Sequence, residues 1–321
     1  MCGRYAASRR ADDIAEEFEV DETGSGLPGE APGKDPVKAG LDYNVAPTKL
    51  APVVLERRPR DAGATREPQD DPAAQAVDAE GDPTADAALE AADEAAVEAA
   101  QAGAHPDAVR WLRLLSWGLV PSWAKDRSIG NRMINARAES LLDKPAYKRA
   151  ALSRRCLVPA DGWYEWQKSP TDKDAKGRPR KQPFFMHPVA DGPIAIAGIY
   201  ELWRNPELHP DDPAAWLATY AVITTDAEPG LDVIHDRMPL ILPRDRWQDW
   251  LDPDLREPDA VRALLQPPAP GRFLATAVTN RVNAVSNNGP ELLDPAPADQ
   301  LRGVVDPATG ELIGGGDASL F

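Results

Sequence analysis

Cysteine is scarce in this sequence: two in 321 residues, at positions 2 and 156. That number excludes a disulfide-stapled scaffold and a zinc site built from four cysteines. Long apolar runs are missing as well. No stretch approaches the roughly 20 apolar residues that a membrane-spanning helix needs. The opening residues, Met1-Cys2-Gly3-Arg4-Tyr5, hold none of the apolar core of a secretory signal. The expected location is therefore cytoplasmic, with reduced thiols. Internal repeats and a phosphate-cradling glycine fingerprint are also absent. Positive charge is short: 36 Lys and Arg face 52 Asp and Glu, a net charge of −16. Taken whole, that balance opposes a nucleic-acid partner, because phosphates repel a net anion.

The charge is unevenly placed. Residues 59–108 hold two cations and thirteen anions, −11 in all, which leaves −5 for the rest of the chain. This stretch is rich in Ala, Asp, Glu and Pro and has no aromatic residue. Such a segment cannot bury enough surface to order itself. It is expected to be a disordered acidic insert. It interrupts one catalytic domain over 2–305, which a flexible tail over 306–321 follows. A Gly/Pro-rich linker is expected from Thr23 to Lys38.

Elsewhere, strand signals follow one another with few helices between. Strands are expected at Pro52–Arg57, Val109–Val120, Cys156–Val158, Gly162–Gln167, Pro183–His187, Ile194–Trp203, Thr219–Thr225, Leu240–Leu242 and Arg272–Thr279. Helices are expected after a capping Ser8, with Ala11, Ile14, Ala15 and Phe18 on one face, and at Asp143–Leu152, Arg244–Leu251 and Asp259–Leu265. This order is not the alternation of a doubly wound sheet. It predicts an α+β domain on a curved, barrel-like, mainly antiparallel sheet with a few flanking helices. Cys156, Trp111, Trp117 and Trp203 fall in strand-like runs and are expected in the core.

Cys2 is the most informative residue. Loss of Met1 would leave a free amine and a thiol on one residue. That pair attacks an aldehyde to give an imine and then closes a thiazolidine ring. An α-amine titrates at about 7.7–8.0 and a thiol at about 8.5, so a modest downward shift would make both reactive. A terminal nucleophile working with its own amine is an established strategy.

Six further segments are dense in unusual residues: Tyr43 to Thr48, Trp117 to Trp123, Asn135 to Glu139, Pro159 to Trp166, Ile234 to Pro239, and Val282 to Gly289. In this order, with the amino terminus, they resemble the SRAP family (SOS response-associated peptidase) from Met1 to about Leu293. The insert and tail match nothing in it, and the region between Trp123 and Asn135 looks longer than in short members.

The resemblance implies covalent capture of abasic sites in single-stranded DNA, junctions included, by a monomer without cofactor or metal. It assigns Cys2 to crosslinking, and Asn135, Glu165 and His235 to the active site. It places Arg4, Pro47, Trp123, Arg137 and, less directly, Thr224 along the DNA strand. Arg237, with Lys125, Arg127 and Arg132, adds charge for a phosphate track. Location would be nucleoid-associated when DNA is bound. Self-processing of Met1 and abasic-site lyase activity are further implications.

The residue types suit that chemistry. Among Trp163, Tyr164 and Trp166, Glu165 should be partly desolvated, with a raised pKa, and serve as acid and base. His235 titrates near neutrality and can protonate the sugar ring oxygen. Asn135 can orient the amine or a sugar hydroxyl. A ring in the Trp123 loop can stack on any base. Two other readings use the same residues: a non-covalent single-stranded DNA-binding module, and a protease using Cys2 with His235 as base. A metal held by Cys2, Glu165 and His235 lacks any close ligand pair in the sequence.

Overall fold

A computed structural model describes residues 2–23, 36, 40–58, 108–209 and 212–313. Nearly all of the 59–108 insert and most of the 23–38 linker lie outside the described residues. Five strands form a closed ring: β4 (Leu50–Arg57), β5 (Val109–Trp117), β11 (Trp216–Asp226), β10 (Ile194–Arg204) and β7 (Arg155–Ala160). Four of its junctions are antiparallel. The fifth, β5 with β11, is parallel at Thr219↔Ser116 and Tyr220↔Trp117 and shuts the barrel. Alternation explains the two faces. Val53, Leu55, Leu115, Trp117, Ile196, Tyr220 and Val222 share one buried cluster inside. Val54, Leu112, Ala197, Ile199 and Ala221 point outward, to a second cluster formed with the helices. Those helices are α1 (Ala11–Glu17), α2 (Pro145–Ser153), α3 (Trp247–Leu251) and α4 (Pro258–Leu264).

A second, five-stranded sheet is antiparallel throughout. Its order is β13 (Phe273–Ala277), β9 (Pro179–Pro188), β8 (Gly162–Lys173), β1 (Tyr5–Ala7) and β3 (Asp42–Val45). Only Asp161 separates β7 from β8, so the chain steps from barrel to sheet in one residue. Gly162 makes the step possible: a Cβ there would lie 2.2 Å from Met186 O. Placed between β3 and β8, β1 pins the amino terminus, with Tyr5 opposite both Val45 and Trp163.

The α+β, barrel-like expectation matches this architecture, and several details differ. Ser8 does not cap α1. Arg10 occupies the cap without a side-chain bond, while Ser8 N and Oγ both donate to Asp161 Oδ2, at 2.6 and 2.8 Å. β5 stops at Trp117 because Gly118 turns the chain at φ 120° and gives its N–H to Tyr220 O at 2.8 Å. Instead of Leu240–Leu242, the strand here is β12 (Arg237–Pro239), and Ile241 makes one isolated bridge to Ile196. Residues 306–313, read as tail, turn back into a short hairpin of β14 (Val304–Val305) with β15 (Leu312–Ile313). Trp117, Trp203 and Cys156 are buried, and Trp111 is half-buried beneath Arg113. No helix among the described residues is long and apolar enough to cross a membrane.

Candidate active site

Cys2 is fully buried in the inner cluster with Tyr5, Trp117, Trp163, Tyr220 and Ile234. Tyr5 and Tyr220 share a 2.6 Å hydroxyl bond in the same cluster. Asn135 arrives on β6 (Asn135–Arg137), which adds in parallel to β11 at Val222. Its Nδ2 donates to Cys2 O at 2.8 Å. Its Oδ1 is buried with no hydrogen-bond partner among the described residues. A buried acceptor of this kind costs about 1–3 kcal/mol until a donor reaches it. The hydroxyl of Tyr147, on α2, donates to Asn135 O at 3.3 Å and steadies the strand.

Glu165 sits on β8 opposite Phe184 and is 3% exposed. Burial pushes its carboxyl up to about 7. The positive amino terminus opposes that rise, and Asp236 adds to it. This is the direction expected from its aromatic neighbours.

His235 lies in the turn before β12, and its ring is half-buried. Burial lowers its pKa below the ordinary value, so it rests neutral at pH 7. The Arg237 N–H donates to Nδ1 at 3.0 Å, which leaves the proton of the neutral ring on Nε2. Asp236 Oδ1 lies 2.9 Å from the same Nδ1. A neutral Nδ1 has no proton to offer it, so that contact becomes an ion pair only when the ring is protonated.

The thiol lacks the downward shift that would make it reactive at rest. Its pKa is raised, not lowered: burial is the main cause, and the negative field of Glu165 adds to it. The positive amino terminus and the Arg4 backbone N–H only partly offset both. Resting Cys2 is therefore a protonated thiol, and Glu165 is the carboxylate whose field it feels.

The residues assigned to DNA divide into two groups. Trp123 is 59% exposed, on a loop held by Trp203 Nε1 donating to Ala124 O at 2.6 Å. A close approach also fixes that loop: a Cβ on Gly118 would lie 2.6 Å from Gly130 O. Arg137, Lys125, Arg127 and Arg132 are exposed. Pro47 is half-buried, and Thr48 after it holds φ 74°, a strained setting for a β-branched residue. Arg4 is half-buried against Trp166 and bonded to Asn44 Oδ1 at 2.6 Å and Val282 O at 2.9 Å.

Thr224 and Arg237 turn inward instead. Thr224 is 2% exposed, paired between β6 and β12. Arg237 is 8% exposed. Its guanidinium is occupied by Glu139 at 2.9 Å, Asp226 at 2.5 Å and the carbonyl of Thr224 at 2.7 Å. Both side chains are thus buried, and both Nη atoms of Arg237 are already engaged. Arg237 instead anchors the strand that follows His235.

Sequence reading assigned no role to Asn44, Glu139 or Tyr147. Asn44 is fully buried and ties Arg4 to the carbonyls of Ala284 and Asn287, at 3.0 and 2.9 Å. Asn44 and Glu139 both lie within the dense segments, whereas nothing local marks Tyr147.

The family model for SOS response associated peptidase (SRAP) matches residues 1–285. The chain is 41% identical over 180 residues to "Abasic site processing protein YoqW" of Bacillus subtilis (strain 168), covering 56% of this chain and 75% of that one. It is 33% identical over 207 residues to "Abasic site processing protein HMCES" of Gallus gallus, 56% of either chain. A phage-related protein of Bordetella bronchiseptica shares the fold at a TM-score of 0.50 and 25% identity, covering 86% of this chain and 94% of that one. A second protein of that organism does so at 0.53 and 18%, over 87% and 100%. With a match spanning residues 1–285, this chain belongs to the SRAP family.

Proposed function

We propose that this chain processes abasic sites in DNA by covalent capture, through Cys2 exposed as the terminal residue once Met1 is removed. One observation carries the reading. The backbone pins Cys2 in a closed site where an orphaned amide oxygen (Asn135), a carboxyl tuned to about 7 (Glu165) and a neutral imidazole (His235) gather. The names of the relatives, abasic site processing proteins, point to the same substrate.

The ring-closed abasic sugar must first open: His235, in the protonated form that pairs with Asp236, gives a proton to the ring oxygen, and the C1′ hydroxyl proton passes to the Glu165 carboxylate. The Cys2 amine, held by Asn135 Oδ1, then adds to the C1′ aldehyde, and loss of water gives the imine. Next the thiol adds to the imine carbon and its proton passes to nitrogen. Glu165 serves as carrier, because a carboxyl near 7 both takes and returns a proton at neutral pH. The cation developing at the imine offsets the field of Glu165 that holds the thiol protonated. The thiazolidine no longer acidifies the C2′ proton, so β-elimination and strand cleavage are suppressed.

Single strands and junctions are the proposed targets, bound without sequence preference by a monomer. Trp123 offers a stacking face, and Arg137, Lys125, Arg127 and Arg132 offer a phosphate track. Self-removal of Met1 and lyase activity are secondary parts of the proposal. The test is a denaturing gel of untagged protein mixed with single-stranded DNA bearing one abasic site. A heat-stable shifted band is expected from the wild type. Cys2→Ser should give at most a labile imine, and a stable band from it would defeat the mechanism.

A further inference from the structure

Strand β8 buries three polar side chains in register on one face, Glu165, Gln167 and Ser169. Successive residues alternate, so Trp166 and Lys168 point to the other side. Glu165 belongs to the site. The other two find their partners far along the chain, at the β14–β15 hairpin. Gln167 Oε1 accepts from Val305 N at 2.8 Å, and its Nε2 donates to Val305 O at 2.9 Å. One side chain thus reproduces the two-way bonding of a strand pair. Ser169 Oγ donates to Gly303 O at 2.6 Å. On β9, Arg180 donates to the carbonyls of Gln300 and Arg302.

The hairpin also meets the loop that carries His235. Val304 is 1% exposed and shares the inner cluster with Leu231, Ile234 and Met238, and Ile313 packs against that cluster. At the hairpin turn, Pro307 O lies 3.7 Å from where a Cβ on Gly230 would stand. The family match ends at residue 285, so the hairpin lies beyond it.

We propose that this hairpin is a brace for the reaction centre, with Gln167 and Val304 as its positioning residues. It ties the strand presenting Glu165 to the turn presenting His235. This rests on the roles given to those two residues above. Glu165 needs no such help, because β1 and β9 flank its strand. His235 does, since the turn from Glu228 to Asp236 has no ladder of its own. A proton relay requires both groups held to about 0.5 Å, and a displacement of about 1 Å costs on the order of 10²-fold in rate.

The test uses full-length Gln167→Ala and Val304→Ala, with a chain ending at Pro297 as the severe case. Three quantities are read: the capture rate at saturating abasic oligonucleotide across pH 5.5–8.5, the affinity for the intact oligonucleotide, and amide exchange over Glu228–Asp236. Both point variants should capture on the order of tenfold more slowly. Affinity for intact DNA should hold within about twofold, and exchange in the turn should speed up. The pH-profile limb belonging to His235 should move while that of Glu165 stays. Wild-type capture rates with a loosened turn would overturn the proposal, as would equal losses in capture and intact-DNA affinity. A wild type that captures nothing would count against the covalent reading itself. Amide exchange, which needs no DNA, would still decide whether the hairpin braces the turn, and unchanged exchange in Gln167→Ala would refute that.

Discussion

Replacing Glu165 with Gln should stabilise the folded chain at alkaline pH while abolishing capture. The sign follows from burial. A carboxyl raised from 4.5 to about 7 holds its proton more tightly folded than unfolded. The folded state therefore binds more protons between these values, and stability falls as pH rises through them. The whole penalty for ionising Glu165 in the folded chain is ~3 kcal/mol. Most of it, ~2.5 kcal/mol, develops between pH 5 and pH 8.5. Gln keeps the shape and cannot ionise, so it escapes that penalty. Thermal or urea unfolding of both proteins at the two pH values measures the effect. At about 2–4 °C per kcal/mol for a domain of this size, the Glu165→Gln variant should gain roughly 5–10 °C over wild type at pH 8.5. At pH 5 it should gain little. An equal gain at both pH values would refute the electrostatic origin, and a variant less stable than wild type at pH 8.5 would show that the ionised carboxylate is well satisfied.

Trp123→Ala should weaken binding to single-stranded DNA by ~1–3 kcal/mol, the worth of one stacked base, and leave Tm unchanged, because the ring is 59% exposed; titration and melting curves check both. Arg155→Met should lower stability by at least ~3 kcal/mol in urea unfolding. That buried guanidinium donates to the carbonyls of Trp250, Ala151, Leu152 and Asp252, and each stranded acceptor costs about 1–3 kcal/mol. Replacing 59–108 by a short turn should tighten binding to intact DNA at 10 mM salt and change little at 150 mM. The insert carries −11, yet it is rooted at Arg57↔Val109, the far end of a hairpin whose near end is Leu50↔Ser116. Those ends lie ~23 Å apart, within the ~30 Å screening length at low salt and well beyond ~8 Å at physiological salt. Unchanged affinity at 10 mM would discard a shielding role.

Long alternating strands were legible in the sequence because their apolar period is unambiguous: β4, β8, β10 and β11 fall where the pattern puts them. The short strands β1, β3 and β6 were not, since three or four residues carry no period. Their pairing is set by tertiary contacts such as Tyr5 between Val45 and Trp163. Parallel closure of the barrel through Ser116 and Trp117 is likewise a non-local fact. At the site, residue identity singled out Cys2, Asn135, Glu165 and His235 as candidates, and flanking aromatics gave the direction of the Glu165 shift. Exposure was invisible. Arg237 reads as a phosphate ligand from its charge, but Glu139 and Asp226 claim it, and Thr224 reads as polar but faces a strand junction. The upward shift of the thiol was illegible for the same reason, because nothing in Met1 to Tyr5 shows that Cys2 has no access to water.

Mass spectrometry of the captured product tests the central claim most directly. Wild-type protein is reacted with single-stranded DNA bearing one abasic site, digested with protease and nuclease, and sequenced. The adduct should sit on an amino-terminal peptide that begins at Cys2, at the mass of the sugar aldehyde joined with loss of one water, with no free thiol left on that residue. An adduct on a lysine, or on Cys2 with Met1 still attached, would contradict the account.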